Sequence, residues 1–400
     1  MNFEYSDEQR LLSDTLRKFL GTGYSFDARG KIIASPAGFS EDVWAALAEM
    51  GILGVPFDAV YGGFGGTTID MLIVFEALGE ALVVEPYLAT IGLGGRFVAR
   101  GGTAEQRARI LPALIQGKHK MALAQTEAGA RWDLPRVATR ATKSGDGWVL
   151  DGDKRAVLHG GCADTLVVSA RTGGAPDDRR GISLFLVERN APGISVSDYR
   201  GLDNLRLANV RLSGVRVGRD SLLGREGEGF DLLEEVVDYA TALLCAEAVG
   251  AIKYAHDATL EYLKTRRQFG VPIGTFQALQ HRMVDILISY EQARSIACLA
   301  CVKVDSADAA ERRRVVSAAK LKIADAARHV SQEAVQLHGG MGMTEELKIS
   351  HTFRRLTMIA QAFGDADHHL ARFAATRSTR SAAPSVPALG DDGRDQFGHA

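Results

Sequence analysis

From Phe230 onward the sequence is almost free of the two residues that interrupt helices. Residues 230–263 hold one glycine, Gly250, and no proline, while 276–305 and 309–338 hold neither. In a helix interior proline costs about 3 kcal/mol and glycine about 1 kcal/mol, so uninterrupted runs of this length predict long helices. A last periodic segment, 350–375, makes four, the number that closes an antiparallel bundle, and alanine is abundant where the helices would touch. The bundle is expected over 229–375. Before it, over 119–228, the pattern changes to short β-like pieces at 147–151 (GWVLD), 165–169 (TLVVS), 181–187 (GISLFLV) and 209–213 (NVRLS). These predict a small antiparallel barrel or sandwich. Residues 1–118 read as short helices: Leu11, Leu12, Leu16 and Phe19 keep a helical period after Ser6, and Trp44, Leu47 and Ala48 mark a second helix closed by Gly51. The run 61–66 (YGGFGG) fits neither a dinucleotide loop after a strand nor a lysine-bearing phosphate loop, so it reads as a turn. The expected fold class is α+β in three units, with 376–400, polar and proline-bearing, as a disordered tail.

Charge excludes two classes of partner. A formal charge of -2 with 24% charged residues offers no electrostatic footprint for nucleic acid or an anionic membrane. No apolar run reaches the roughly 20 residues of a membrane span, and the start lacks a basic head and apolar core, which together predict a cytoplasmic protein. Cys162, Cys245, Cys298 and Cys301 are too scattered for a disulfide framework. The pair Cys298 and Cys301 lies within a helical pattern and reads as packing.

Two strings carry chemistry. Arg266-Arg-Gln-Phe-Gly-Val-Pro-Ile-Gly-Thr-Phe-Gln277 closely resembles the R-x-x-F-G-x-P-I-x-x-x-Q signature of the acyl-CoA dehydrogenase family, and Gln336-Leu-His-Gly-Gly-Met-Gly342 is similar to that family's Q-x-x-G-G-x-G. The resemblance covers about residues 1–375, and within the family the wording is most like that of pimeloyl-CoA dehydrogenase small subunits. It implies an N-terminal helical domain, a middle β domain and a C-terminal four-helix bundle. It also implies FAD shared between protomers, an acyl-CoA substrate, and an electron acceptor such as an electron-transfer flavoprotein. Arg266, Gln268, Phe269, Gln277, Gln336, Leu337, His338, Gly339 and Gly340 are then expected to contact a flavin held mainly by a neighbour. A guanidinium fork suits a pyrophosphate, and glycines let backbone N–H groups approach closely. Met341 and Met343 read as packing.

The chain departs from the family where the reaction happens. The resemblance calls for a glutamate to remove the α-proton of the thioester while hydride passes to the flavin. Counting on from Gly339 reaches Phe363 instead, and the alternative position, early in the first bundle helix, is Ala240. The stretch 360–369 (AQAFGDADHH) offers Asp365 as a weak substitute, and Glu247 is another. Asp365 and His368 lie three apart, but no Glu-x-x-His accompanies them, so no metal is expected. The family's flavin-facing residues are replaced by Ala130, Arg131, Ala156 and Leu158, with Trp132 and Asp133 as an insertion. Arg354 and Arg355 read as helix-end caps, with a CoA phosphate or acyl carboxylate as the alternative. These departures predict a subunit of a heteromeric FAD-dependent acyl-CoA dehydrogenase, α2β2, whose partner subunit supplies the base, for a dicarboxylic, branched or ring-bearing thioester. Two alternatives stand beside it: a homomeric enzyme with a relocated base, Asp365 or Glu247, and a flavin-free scaffold on the same fold.

Overall fold

The computed structural model describes residues 5–378. Its first helix, α1 (Asp7–Gly23), starts at Ser6, whose hydroxyl accepts from the Gln9 N–H while Gln9 Oε1 accepts from the Ser6 N–H. This reciprocal cap satisfies two amides that a helix start otherwise leaves bare. Helices α2 (Phe26–Ala34), α3 (Glu41–Glu49), α4 (Thr68–Ala81), α5 (Arg96–Gly101) and α6 (Ala104–Ile115) follow, with a π-helical segment, Leu88–Gly95, ahead of α5. The glycine run at 61–66 is a loop between a short 3-10 turn and α4. Gly63 is required there, because a Cβ would meet the Phe57 carbonyl oxygen at 2.1 Å.

Eight strands come next: β1 (Met121–Ala124), β2 (Arg140–Ser144), β3 (Gly147–Leu158), β4 (Thr165–Arg171), β5 (Ile182–Glu188), β6 (Ile194–Arg200), β7 (Arg206–Val217) and β8 (Leu222–Leu223). They form one sheet in the order β6-β7-β3-β2-β4-β5-β8, with β1 alongside β4. The sheet is mixed rather than purely antiparallel, since β1 runs parallel to β4 and β2 meets β4 in parallel at Arg140–Arg171. The apolar runs of β4 and β5 do not alternate with polar residues because both faces are covered. Val167, Leu184 and Leu186 enter the helical core, whereas Leu166, Val168, Phe185 and Val187 enter the core of the sheet's other side.

The C-terminal helices are α7 (Phe230–Thr265), α8 (Gln277–Lys303), α9 (Ala309–His338), α10 (Lys348–Gln361) and α11 (Ala366–Ser378). A two-stranded hairpin, β9 (Arg267–Gln268) with β10 (Val271–Pro272), joins α7 to α8. The expected fourth helix is thus two, broken at Phe363 (φ 57°) and Gly364 (φ 120°). Helix α11 also runs past 375, and the rest of the expected tail lies outside the described residues. Cys301 Sγ–H donates to the Ala242 carbonyl at 3.8 Å; Cys298 and Cys301 are free thiols whose pKa burial raises. Among the described residues no helix is long and apolar enough to cross a membrane.

The lone glycine of α7 has a packing reason. A Cβ on Gly250 would stand 1.9 Å from the Glu76 carbonyl oxygen of α4, and one on Gly79 of α4 would stand 2.0 Å from the Glu247 carbonyl oxygen. The two helices cross backbone to backbone, and the N-terminal and C-terminal helices share one hydrophobic core. Neither obstacle is a flexible side chain. Gly250→Ala is therefore expected to destabilise the protein by about 1–3 kcal/mol or more, read from urea unfolding, although alanine is the better helix former. An unchanged or raised midpoint would contradict this packing.

Candidate functional site

A cleft of about 280 Å³ opens where the ends of β1 and β3 face α7, α10 and α11. A register shift between Lys154 and Val157 re-aims the end of β3, with Ala156 left-handed (φ 50°), so that Ala156 and Leu158 reach the cleft. Leu88, Leu205, Val237, Leu244 and Met358 make most of the remaining wall apolar. Phe363 lines the cleft where the resemblance calls for a base. Ala240 does not line it; it is fully buried in the helical core. Its neighbour Thr241 does, with its hydroxyl donating to the Val237 carbonyl at 2.7 Å.

The carboxylates around this cleft are committed to arginines. Asp203 and Asp238 are the two that line it among the described residues. Arg355 Nη1 donates to Asp203 Oδ2 at 2.7 Å, while Asp203 Oδ1 accepts the Leu205 N–H at 3.3 Å. Asp238 takes Arg312 on Oδ2 (3.1 Å) and Arg372 on Oδ1 (2.6 Å). Glu247, the other expected candidate base, is gripped by Arg355 in a fork, Nε to Oε1 at 2.6 Å and Nη2 to Oε2 at 2.8 Å. Asp365 is a helix cap, its Oδ1 accepting the His368 N–H at 2.9 Å at the start of α11. The expectation that Arg354 and Arg355 cap a helix end is also corrected. Both sit within α10; Arg354 pairs with Glu345 (2.8 Å), and Arg355 is buried because two carboxylates neutralise it. These contacts spend the carboxylate oxygens on partners within the chain.

Two buried bases shape the Phe363 loop. Lys320 is fully buried and its Nζ donates to the carbonyls of Ala360 (3.0 Å) and Gly364 (2.6 Å), replacing helical partners lost at the break. His369 Nε2 bonds the Phe363 carbonyl at 3.1 Å. A carbonyl can only accept, so Nε2 carries the proton and Nδ1 is an acceptor, and it has no partner. Burial, with Lys320 adding to it, pushes the His369 imidazole down to about 2, so it is neutral at working pH. Gln125, at the end of β1, has an unpartnered buried Nε2 in the same cleft. Neither group stood out in the sequence; the paired histidines of 360–369 were the only signal.

Burial also lowers Lys320 from its ordinary value to about 8. Its folded pKa lies below the unfolded one, so between about pH 8 and 10 the unfolded chain binds more protons and stability rises with pH. Relative to Lys320→Met, the wild type should gain stability over that window and show no such gain from pH 6 to 7.5. Denaturant titrations of the two proteins check this, and a flat difference would mean that Lys320 is not buried as described.

The two signature strings meet at one end of the bundle, where the Tyr262 and His338 rings stack with centroids 4.4 Å apart. Arg266, Gln268, Gln277, Gln336, Gly339 and Gly340 are exposed there, as is Phe269 at 91%. A Cβ on Gly339 or Gly340 would meet nothing within 4 Å, and Gly339 is left-handed (φ 60°). Of the other expected contacts, Leu337 and His338 have buried side chains, and His338 Nδ1–H donates to the Ala334 carbonyl at 2.8 Å. Met341 and Met343 are exposed rather than packed, at 52% and 74%. An exposed guanidinium beside an open glycine cradle fits the pyrophosphate of FAD. The cleft fits its ring less well. Ala130 and Leu158 supply no hydroxyl, Ala156 supplies no aromatic plate, and Trp132 leans towards His368 instead, with ring centroids 6.0 Å apart.

Comparison with known proteins agrees with this architecture. Models of the acyl-CoA dehydrogenase N-terminal, middle and C-terminal domains match residues 6–118, 122–215 and 227–376. The probable acyl-CoA dehydrogenase YngJ of Bacillus subtilis is 30% identical over 359 residues, 88% of this chain and 93% of that protein. Butyryl-CoA dehydrogenase from Megasphaera elsdenii superposes with a TM-score of 0.87 at 26% identity, covering 94% of this chain and 100% of that one. A steroid ACAD, Tcur3481-Tcur3483, gives 0.85 at 28% identity, covering 94% and 99%. Three domain matches in order, over a site built at their junction, show that the chain belongs to the acyl-CoA dehydrogenase family of FAD-dependent oxidoreductases.

Proposed function

We propose that this chain is one subunit of a heteromeric acyl-CoA dehydrogenase, α2β2, that completes a partner's flavin site and performs no proton abstraction of its own. The observation that carries the reading is the state of the cleft: Phe363 stands where a base belongs, and Asp203, Asp238 and Glu247 are all held by arginines. A positioned general base contributes about 10²- to 10⁴-fold to rate. A cleft without one does not sustain the reaction. What the chain retains is the bundle end, where Arg266 would hold the pyrophosphate, Gln277 and Gln336 would hydrogen-bond to the dinucleotide, and Gly339 and Gly340 would present backbone N–H groups. When bound, FAD supplies the hydride acceptor. The exposed apolar side chains beside these residues, Phe269, Met341 and Met343, extend to Val284, Leu287 and Ile288 on α8, an area suited to a second subunit. The structural relative Tcur3481-Tcur3483, a steroid ACAD, is named for two proteins, which favours a paired assembly and a ring-bearing thioester as substrate. An electron-transfer flavoprotein serves as the acceptor in this reading, and the cytoplasm as the compartment.

Expression alone and with an acyl-CoA dehydrogenase encoded nearby separates the alternatives. The lone chain should purify colourless, and the co-expressed complex yellow, with one FAD per pair of unlike chains. Arg266→Ala in the complex should weaken FAD retention by roughly 10- to 100-fold, the value of a charge-assisted hydrogen bond. Stoichiometric FAD in the lone chain, bleached by an acyl-CoA, would refute the reading.

A further inference from the structure

The cleft keeps two buried polar atoms that nothing in the chain satisfies. Gln125 is 8% exposed; its Oε1 accepts from the Thr126 hydroxyl at 3.4 Å and its Nε2 has no partner. His369 is 2% exposed, its Nε2–H spent on Phe363 and its Nδ1 bare. One is a donor and the other an acceptor, and both line the same space. A buried polar group left bare is destabilising, a cost that an apolar side chain of similar size would avoid. The wall around them is apolar, through Leu158, Leu205, Val237 and Met358. At the mouth stands Arg131, exposed and left-handed (φ 49°), with its guanidinium 5.8 Å from the Trp132 ring. No carboxylate pairs with Arg131 among the described residues. At about 280 Å³ the cleft falls just below the roughly 300–1,000 Å³ of drug-sized ligand sites, room for a small ligand.

We propose that this cleft is a non-catalytic binding site for a small hydroxylated acyl ligand. The ligand's carbonyl oxygen accepts from Gln125 Nε2, its hydroxyl donates to His369 Nδ1, its apolar body lies on the leucines, and its anionic end faces Arg131. The proposal rests on the half-site reading, because only a cleft that holds no reacting flavin is open to another ligand. Two sources share this chemistry, a free hydroxy acid and its CoA thioester, which present a carboxylate or phosphates to the same cation. His369 does not act as a base here; it reads a hydroxyl through a lone pair fixed by its other nitrogen.

Calorimetric titration of the full chain, alone and in its complex, tests this with five probes: 3-hydroxyoctanoate, octanoate, their two CoA thioesters, and lumiflavin. In one series, acid or thioester, the hydroxylated probe should bind at least ten-fold tighter than its plain counterpart, and the series that binds identifies the source. His369→Phe should abolish that preference, and Gln125→Leu should weaken both probes. Equal affinity for hydroxylated and plain probes in the wild type, or no binding of any acyl probe, overturns the proposal without recourse to a variant. So does a hydroxyl preference that survives His369→Phe. Lumiflavin binding in the lone chain that no acyl probe displaces would sink the half-site reading as well, so the two failures are distinguishable.

Discussion

Arg355 is the joint on which the site depends. From the middle of α10 its guanidinium forks onto Glu247 of α7 and reaches Asp203 in the turn between β6 and β7. One cation thereby ties two helices and the sheet together at the floor of the cleft. Isolated charges at this depth would be very costly, and a planar group with five donors is the side chain able to satisfy two carboxylates at once. Burial alone would depress its pKa, yet Glu247 and then Asp203 outweigh that and raise it. The same joint engages both oxygens of Glu247 and one of Asp203, so in the half-site reading the ion pairs that tie the elements together also keep these acids out of the reaction.

The rest of the molecule divides along the same line. Towards the cleft the chain is closed: Asp238 lies between Arg312 and Arg372, Lys320 and His369 fix the break that carries Phe363, and Thr241 returns its hydroxyl to its own helix. At the bundle end it is open, with a guanidinium, three glutamines and a glycine turn facing outward beside exposed methionines and Phe269. Side chains that are committed inward cannot exchange partners during a reaction, whereas those left outward are ready to take one. The two buried orphans of the cleft, Gln125 and His369, are the exception to its closure.

Much of this was legible in the sequence. The helix runs could be read from the absence of glycine and proline, and the signature strings from their residues, since both are local. The β pieces were seen, but the parallel pairing of β1 with β4 was not, because register across distant segments leaves no trace in a short run. The break in the last helix depended on contacts from Lys320 and His369, and the roles of Glu247, Asp365 and Arg355 on which groups met in space. Leu337 and His338 belonged to a binding motif, and only the Tyr262 stack reveals that their side chains face inward. Gly250 was visible as an anomaly whose reason, the backbone of α4, lay elsewhere in the chain.

In the half-site reading, no carboxylate among the described residues takes a proton from the α-carbon of a thioester. Deuterium wash-in at that carbon measures this directly and needs no redox turnover. An acyl-CoA is incubated in D₂O with the lone chain, with the partner, and with the complex, and the label is read by NMR. Background exchange is expected for the lone chain and rapid exchange wherever the partner is present. Exchange well above background by the lone chain, lost on removing one of its own carboxylates, would contradict it.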